Sequence, residues 1–380
     1  MQIKRIIQTN LENELFKGHV VIIYGPRRIG KTTLVKQIMD SHPDQSLYLN
    51  CDEPDIRLGL SNRTSTELAN LFGSKSLIVI DEAQRVKNIG LTLKLIVENL
   101  PSIQVVATGS SSFDLSNKIS EPLTGRHRDF HLHSFSIEEL LQINSPIDSR
   151  RLLDHRLIYG SYPQVVTNSL DAAQTLKYIA RDYLFKDVLE FQSLKNSDLL
   201  EKLLTALALQ VGHQVAYTEL ANLLGIDKKT VENYIRILEQ AFIIFRLRPF
   251  SRNLRKELTK TRKIYFWDTG IRNACLNNFN PLSLRQDTGP LWENYLISER
   301  LKFHSNHQIE KNYYFWRTWD QQEIDLVEEL AGQLHCFEIK WTRPKKSAPK
   351  AWRDTYPHAP WASITTENYL DFTSPTQNHS

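Results

Sequence analysis

The octet Gly25-Pro26-Arg27-Arg28-Ile29-Gly30-Lys31-Thr32 satisfies G-x-x-x-x-G-K-[ST] without a mismatch, and it follows the apolar run Val20-Val21-Ile22-Ile23-Tyr24. A strand ending in such a loop and running into a helix is a cradle for nucleotide phosphates. Gly25 and Gly30 let the backbone curl so that successive N–H groups point inward, and the helix opening near Lys31 turns its positive end toward the same centre. Lys31 is placed to meet the β- and γ-phosphates, Thr32 to offer its hydroxyl to Mg²⁺, and Thr33 follows as the next helical residue. Leu34, Val35 and Ile38 supply the helix spacing. A glycine-rich turn without function is the competing reading of the octet, and the flanking strand and helix count against it.

The run Leu77-Ile78-Val79-Ile80 ends in Asp81-Glu82, and four apolar residues in a row suit a parallel strand buried on both faces. Asp81 is expected in the Mg²⁺ shell, and Glu82 is expected to orient or deprotonate the attacking water. An acidic pair at a helix start is the alternative for these two residues taken alone.

Further strands are expected at Ser46 to Asn50, Gln104 to Thr108 and Asp129 to His133, with helix-length segments between them, a β-α alternation. In P-loop ATPases of the additional-strand type, a strand such as Val105 to Thr108 lies between the P-loop strand and the Asp81 strand. Thr108 or Ser110 is then a candidate sensor of the γ-phosphate, against an ordinary polar strand end. Arg126, in the turn Leu123-Thr124-Gly125-Arg126, is a candidate to neutralise transition-state charge in its own subunit or across a subunit boundary, with a surface arginine an even match.

At 380 residues, 41% apolar and 24% charged, the chain suits two to four globular domains. The strongly apolar runs are strand-length and the start lacks the apolar core of a signal peptide, so the expectation is a cytoplasmic protein with no membrane association. Cys51, Cys275 and Cys336 are too few and too scattered for a disulfide framework or a structural zinc site. His304 and His307 read as a solvated helix face. The net charge of +4 is small, yet five basic residues and no acidic ones lie between Trp341 and Arg353, and Arg246 to Lys263 holds eight basic residues against Glu257. Such runs are either solvated loops or contacts for a polyanion.

Ile137 to Gln192 reads as a helical lid interrupted by Pro146 and Pro163. Ser197 to Pro249 reads as a winged helix: a short helix over Tyr217 to Leu224, a turn at Gly225, a second helix capped by Asp227, then a strand. Lys228, Lys229, Asn233 and Arg236 are expected to face outward, where they meet DNA or leave the module merely packed, with equal weight. From Gln286 onward come a helix containing Glu293, an aromatic strand over Tyr313 to Trp316, a strand with Asp325, a turn at Gly332 and a strand ending Phe337-Glu338-Ile339-Lys340. Glu338 and Lys340 share a face by strand period. Glu293, Asp325, Glu338 and Lys340 are thereby candidates for a second metal site that cleaves phosphodiesters.

Taken together, GPRRIGKT, LIVIDEAQ, TGSSSFDL, the LTGR turn, GSYPQVV, the winged-helix pattern and EIDLV followed by FEIK resemble a prokaryotic family of AAA-like P-loop ATPases. Its members carry a C-terminal restriction-endonuclease-like domain of unknown function, and the resemblance covers about residues 1 to 365. It implies an α/β fold: an additional-strand ATPase core (1–135), a helical lid (136–196), a winged helix and linker (197–285), a PD-(D/E)xK-like α/β domain (286–372) and a tail (373–380). It implies ATP held by residues 25–33, Mg²⁺ held by Thr32 and Asp81, Glu82 as the catalytic carboxylate, and an adenine contact at Pro163 in Ser161-Tyr162-Pro163. The functional expectation is an ATP-hydrolysing switch with DNA as a candidate partner and a homo-oligomer as a candidate assembly. The alternatives are an ATP-dependent DNA-processing enzyme with a nuclease-like site, and a DNA-binding regulator.

Overall fold

The computed structural model describes residues 3–110, 123–181, 197–251 and 262–374. Part of the TGSSSFDL segment, the end of the helical reading over 137–192, most of the Arg246 to Lys263 run and most of the tail lie outside the described residues. The chain divides into two compact units. One comprises Lys4–His133 with Gln240–Phe242, and the other comprises the described parts of Met1–Ile3, Ser134–Glu239 and Ile243–Ser380.

The first unit is built on five parallel strands, β1 (Val20–Tyr24), β2 (Ser46–Asn50), β3 (Leu77–Asp81), β4 (Gln104–Gly109) and β5 (His127–His131), in the order β2-β3-β4-β1-β5. Every residue of β1, β3 and β4 is buried. This is why their sequences are continuous rather than alternating, since helices cover both faces. On one face, Leu68 and Phe72 of helix Ser65–Phe72 and Ile89, Leu93 and Ile96 of helix Ile89–Asn99 pack with Val20, Ile22, Ile78, Ile80, Val105 and Ala107. Each of the larger of these side chains contributes about 1.5–3 kcal/mol relative to exposure, so a charge at Ile78 would disrupt the sheet. A capping box between Thr64 and Glu67 starts the first of these helices. β4 separates β1 from β3, as the additional-strand reading expects, and because the three strands are parallel their ends at Tyr24, Asp81 and Gly109 lie at one edge of the sheet.

The second unit begins with short helices, among them Pro146–Arg151, Leu153–Tyr159, Pro163–Thr167 and Ala172–Tyr178. Helix Ser197–Leu209, β6 (Gln214–Val215), helices Tyr217–Leu224 and Lys228–Gln240, β7 (Ile244–Pro249) and β8 (Arg262–Phe266) follow. Helix Thr288–Asn306 then precedes β9 (Asn312–Arg317), β10 (Glu323–Leu330), β11 (Gln333–Ile339) and β12 (Trp361–Ile364). The segments read as winged helix and C-terminal domain share one seven-stranded sheet, β12-β11-β10-β9-β7-β8-β6. The join is the parallel pairing of β7 with β9, Arg248 opposite Tyr314.

Helix Lys228–Gln240 buries Val231, Tyr234, Ile235 and Leu238, and leaves Lys228, Lys229 and Arg236 exposed with Asn233 half-buried. His304 departs from the solvated reading. It is buried, shares a 2.8 Å hydrogen bond between Nδ1 and the Tyr313 hydroxyl, and burial pulls its imidazole down to about 3. Helix Thr288–Asn306 is covered nearly all round, so the helical period gives no solvent face there. Among the described residues, no helix is long and apolar enough to cross a membrane.

Candidate functional site

The loop after β1 depends on its two glycines for different reasons. A Cβ on Gly25 would stand 2.4 Å from the Leu132 carbonyl oxygen, a close approach made because Leu132 N–H donates to the Tyr24 carbonyl at 2.8 Å. Gly30 has φ 100°, in the left-handed region, and starts helix Lys31–Asp40. The Lys31 ammonium is buried and donates to the carbonyls of Gly25 at 2.7 Å and Pro26 at 3.1 Å. Ile29 is buried, Arg28 is exposed, and Thr32 and Thr33 lie on the exposed side of the first helical turn. The buried Arg5 guanidinium braces the loop from behind, donating to Ile29 O at 3.2 Å and His133 O at 2.5 Å. Nothing in the motif pointed to Arg5, whose partners are backbone carbonyls far along the chain.

Asp81 ends β3 beside this loop and is met by three hydroxyls. Thr32 donates to Oδ2 at 2.8 Å, Tyr48 donates to Oδ2 at 2.5 Å, and Thr108 donates to Oδ1. Thr108 Oγ1 also accepts from the Glu82 N–H at 3.1 Å. Glu82 sits at φ 53°, so the chain turns sharply as it leaves the strand. Gln84 donates to Glu82 Oε2 at 2.5 Å and to Ser110 Oγ at 3.0 Å. Thr32, Asp81, Glu82, Thr108 and Ser110, each expected from the sequence, thus form one connected network. Tyr48 and Gln84 were missed. Gln84 lies inside LIVIDEAQ, whereas Tyr48 had no sequence signal, because only the parallel register that sets Tyr48 opposite Val79 and Asn50 opposite Asp81 brings it to the carboxylate. Burial, with Asp81 adding to it, pushes the Tyr48 phenol up, so it stays a donor. A hydroxyl and a carboxylate already in contact are hard oxygen donors of the kind Mg²⁺ takes, so Thr32 and Asp81 fit that ion.

Glu293, Asp325, Glu338 and Lys340 line one cavity of about 660 Å³ in the second unit. The register Leu326 opposite Phe337, carried one residue further, sets Asp325 beside Glu338. The spaces between the carboxylates are filled by ammonium groups. Lys340 Nζ lies 3.2 Å from Asp325 Oδ2 and 2.8 Å from Glu338 Oε1, which Lys345 also contacts. Lys263 of β8 reaches Glu293 Oε1 at 2.9 Å, Glu323, and Asp325 Oδ1 at 3.9 Å, and Tyr265 donates to Glu293 Oε1 at 2.6 Å. Burial pushes Glu293 up to about 7 despite the ammonium, because one lysine serves three carboxylates. The four residues expected to form a second metal site thus line one cavity, and with the ammonium groups in their places no group of three His, Cys, Asp or Glu among the described residues is arranged to hold a metal ion. Lys263 lies far from the motif in sequence and was read only as part of a basic run.

Residues 17–141 match the family described as an AAA domain. The first unit is AAA-like. Residues 150–282 and 288–368 match two families each described as a domain of unknown function. An uncharacterized protein of Mycobacterium tuberculosis is 28% identical over 346 residues, 89% of this chain and 74% of its own. An uncharacterized protein of Methanocaldococcus jannaschii is 26% identical over 380 residues, 92% of this chain and 82% of its own. Among solved structures, a Walker-type ATPase of Pyrococcus abyssi overlaps at a TM-score of 0.47 and 14% identity, covering 72% of this chain and 96% of its own. A Holliday junction branch migration motor of Thermotoga maritima overlaps at 0.33 and 19%, covering 67% and 94%. Both are partial overlaps.

Within the AAA-like unit, Arg126 does not approach the phosphate loop of its own subunit. Its carbonyl accepts from Val20 N–H at 2.9 Å, at the start of β1, while the loop follows the end of that strand. The two ends are about 13 Å apart at roughly 3.3 Å per residue. The Arg126 side chain instead pairs with Glu98 at 2.9 Å. Pro163 belongs to the second unit, where it opens helix Pro163–Thr167.

Proposed function

We propose that the AAA-like unit binds and hydrolyses ATP with Mg²⁺ and that the chain works as a nucleotide-driven switch. The observation that carries this reading is the Asp81 carboxylate joined to the Thr32 hydroxyl, with Glu82 beside it and tied through Gln84 to Ser110. Lys31 exchanges the Gly25 and Pro26 carbonyls for the β- and γ-phosphates, and the loop N–H groups with the start of helix Lys31–Asp40 bind the remaining phosphate oxygens. Thr32 and Asp81 would hold Mg²⁺, which when bound supplies positive charge against the β- and γ-oxygens. Glu82 orients the attacking water and takes its proton as the oxygen bonds to the γ-phosphorus. The bond from that phosphorus to the β–γ bridging oxygen breaks, and ADP keeps the bridging oxygen. Thr108 touches both Asp81 and Glu82, so it is suited to relay the state of the γ-phosphate, with Ser110 joined through Gln84. Pro163 is retained as a candidate adenine contact. The test is Lys31→Ala in the full chain: nucleotide titration and phosphate release should both be lost, and unchanged hydrolysis would end the reading.

A second reading concerns the output. The order helix Ser197–Leu209, β6, two helices, β7, β8, with β8 lying between β6 and β7, supports a winged helix. The exposed Lys228, Lys229 and Arg236 on its second long helix support contact with DNA phosphates or base edges. The clustering of Glu293, Asp325, Glu338 and Lys340 supports a PD-(D/E)xK-like fold around the cavity, but no cleavage step follows from carboxylates that lysines already neutralise. DNA binding should weaken with salt, and Lys228→Ala with Lys229→Ala should reduce that salt slope by about one to two. A slope unchanged in the double variant would remove this surface from the reading.

A further inference from the structure

The lysine that neutralises the carboxylate cavity comes from outside the segment that supplies the carboxylates. Lys263 is on β8, and its backbone is paired on both sides, opposite Leu247 of β7 and Gln214 of β6. Its side chain is 1% exposed, and its ammonium faces oxygens of Glu293, Glu323 and Asp325. Glu293 comes from helix Thr288–Asn306 and the other two from β10, with Glu323 and Asp325 two residues apart on one strand face. Three carboxylates from two elements around one point make a seat for a cation. The same cavity holds a second sign of unmet cation demand. Glu338 Oε1 contacts Lys340 and Lys345, while Oε2 of this buried carboxylate has no hydrogen-bond partner.

A divalent ion and an ammonium compete for such a seat on unequal terms. Mg²⁺ needs oxygens at about 2.0–2.1 Å in near-octahedral order, whereas an ammonium accepts them at ordinary hydrogen-bond distance. A divalent ion entering beside Lys263 would place two cations among the same oxygens. Displacing Lys263 would instead leave a buried ammonium without its counter-charges, a large penalty in a dry site. Retraction is also restricted, because the strand that carries the lysine is held on both edges.

We propose that Lys263 is the resident cation of this cavity, seated among Glu293, Glu323 and Asp325 where a divalent ion would sit, and that it excludes Mg²⁺ and Mn²⁺ while β8 keeps its place. The cavity is thus a metal site closed by a lysine of the neighbouring strand. This does not rest on the nucleotide reading, since every residue it uses lies in the second unit.

The experiment counts bound Mn²⁺ by electron paramagnetic resonance on the full chain without nucleotide. Wild type is compared with Asp325→Asn, with Lys263→Met and with the double variant. The wild type should bind Mn²⁺ no differently from Asp325→Asn. Lys263→Met should gain one site, tighter than any wild-type site by about tenfold or more, and lose it again when Asp325→Asn is added. An Asp325-dependent Mn²⁺ site already present in wild type would overturn the proposal, as would a folded Lys263→Met protein that gains none. Should Lys263→Met fail to fold, Lys263→Gln replaces it. Should neither fold, the comparison of wild type with Asp325→Asn decides alone, with Glu293→Gln as its duplicate.

Discussion

The Tyr48 hydroxyl donates to Asp81 Oδ2 at 2.5 Å, across the parallel pair of β2 and β3. The same oxygen accepts from Thr32, so the carboxylate is oriented before any ligand arrives. Tyr48→Phe removes a donor to a charged acceptor and leaves the ring. We expect a loss of about 1.5 kcal/mol in the unfolding free energy, at the low end for charged hydrogen bonds because Tyr48 is only half-buried. Denaturant unfolding of the nucleotide-free protein measures it, and an unchanged midpoint would mean that this bond does not form in solution.

Glu82 and Gln84 separate binding from chemistry. Glu82→Gln keeps Asp81 and Lys31, so it should bind ATP within a few-fold of wild type yet hydrolyse it about a hundredfold more slowly. Gln84→Ala frees the Glu82 carboxylate from Ser110 and should give a smaller loss in kcat with the same affinity. Equal loss of binding in Glu82→Gln and Lys31→Ala, read by nucleotide titration, would instead make Glu82 a ligand of the metal.

Arg126 is paired with Glu98 at the sheet edge opposite the phosphate loop. Arg126→Ala should therefore leave specific ATPase activity within about twofold, because an exposed ion pair contributes only about 0–1 kcal/mol to the fold. Activity is to be measured across a dilution series. A large loss that appears only at high protein concentration, rescued by mixing Arg126→Ala with Lys31→Ala chains, would show that a neighbouring subunit receives this arginine.

Glu293 gives the second unit a pH dependence whose sign follows from burial, which raises its carboxyl to about 7. The folded state holds that proton more tightly than the unfolded chain does. Its contribution is fully present below the ordinary carboxylate value and is lost as pH rises through about 7. Between pH 5 and 8 the stability of wild type relative to Glu293→Gln should fall by about 1–3 kcal/mol, since each tenfold difference in proton affinity between the folded and unfolded states is worth about 1.4 kcal/mol. Paired denaturant melts at the two pH values measure it. A difference that stays flat, or that rises with pH, would show that Lys263 and Tyr265 hold Glu293 ionised.

What could be read from the sequence was local or periodic. Gly25, Gly30, Lys31 and Thr32 sit at covalently set spacings, so one turn of chain decides their geometry. Asp81 and Glu82 follow a four-residue apolar run whose burial needs no partner to be named. Likewise, Glu338 and Lys340 share a side by the two-residue strand period, and Val231, Tyr234, Ile235 and Leu238 share one by the helical period. The tertiary structure alone decided which ends of the strands meet. Arg126 and the phosphate loop lie at opposite ends of β1 because β5 pairs parallel to it, Val20 opposite His127, and nothing in the turn that precedes β5 encodes that direction. Arg5 behind Ile29, Tyr48 on Asp81 and Lys263 among the carboxylates likewise join positions whose chain separation carries no period. The order of neighbouring strands brings Tyr48 to Asp81, while Arg5 and Lys263 reach their partners through the packing of elements that are not neighbours in a sheet, and both are fixed by which apolar faces can be buried together.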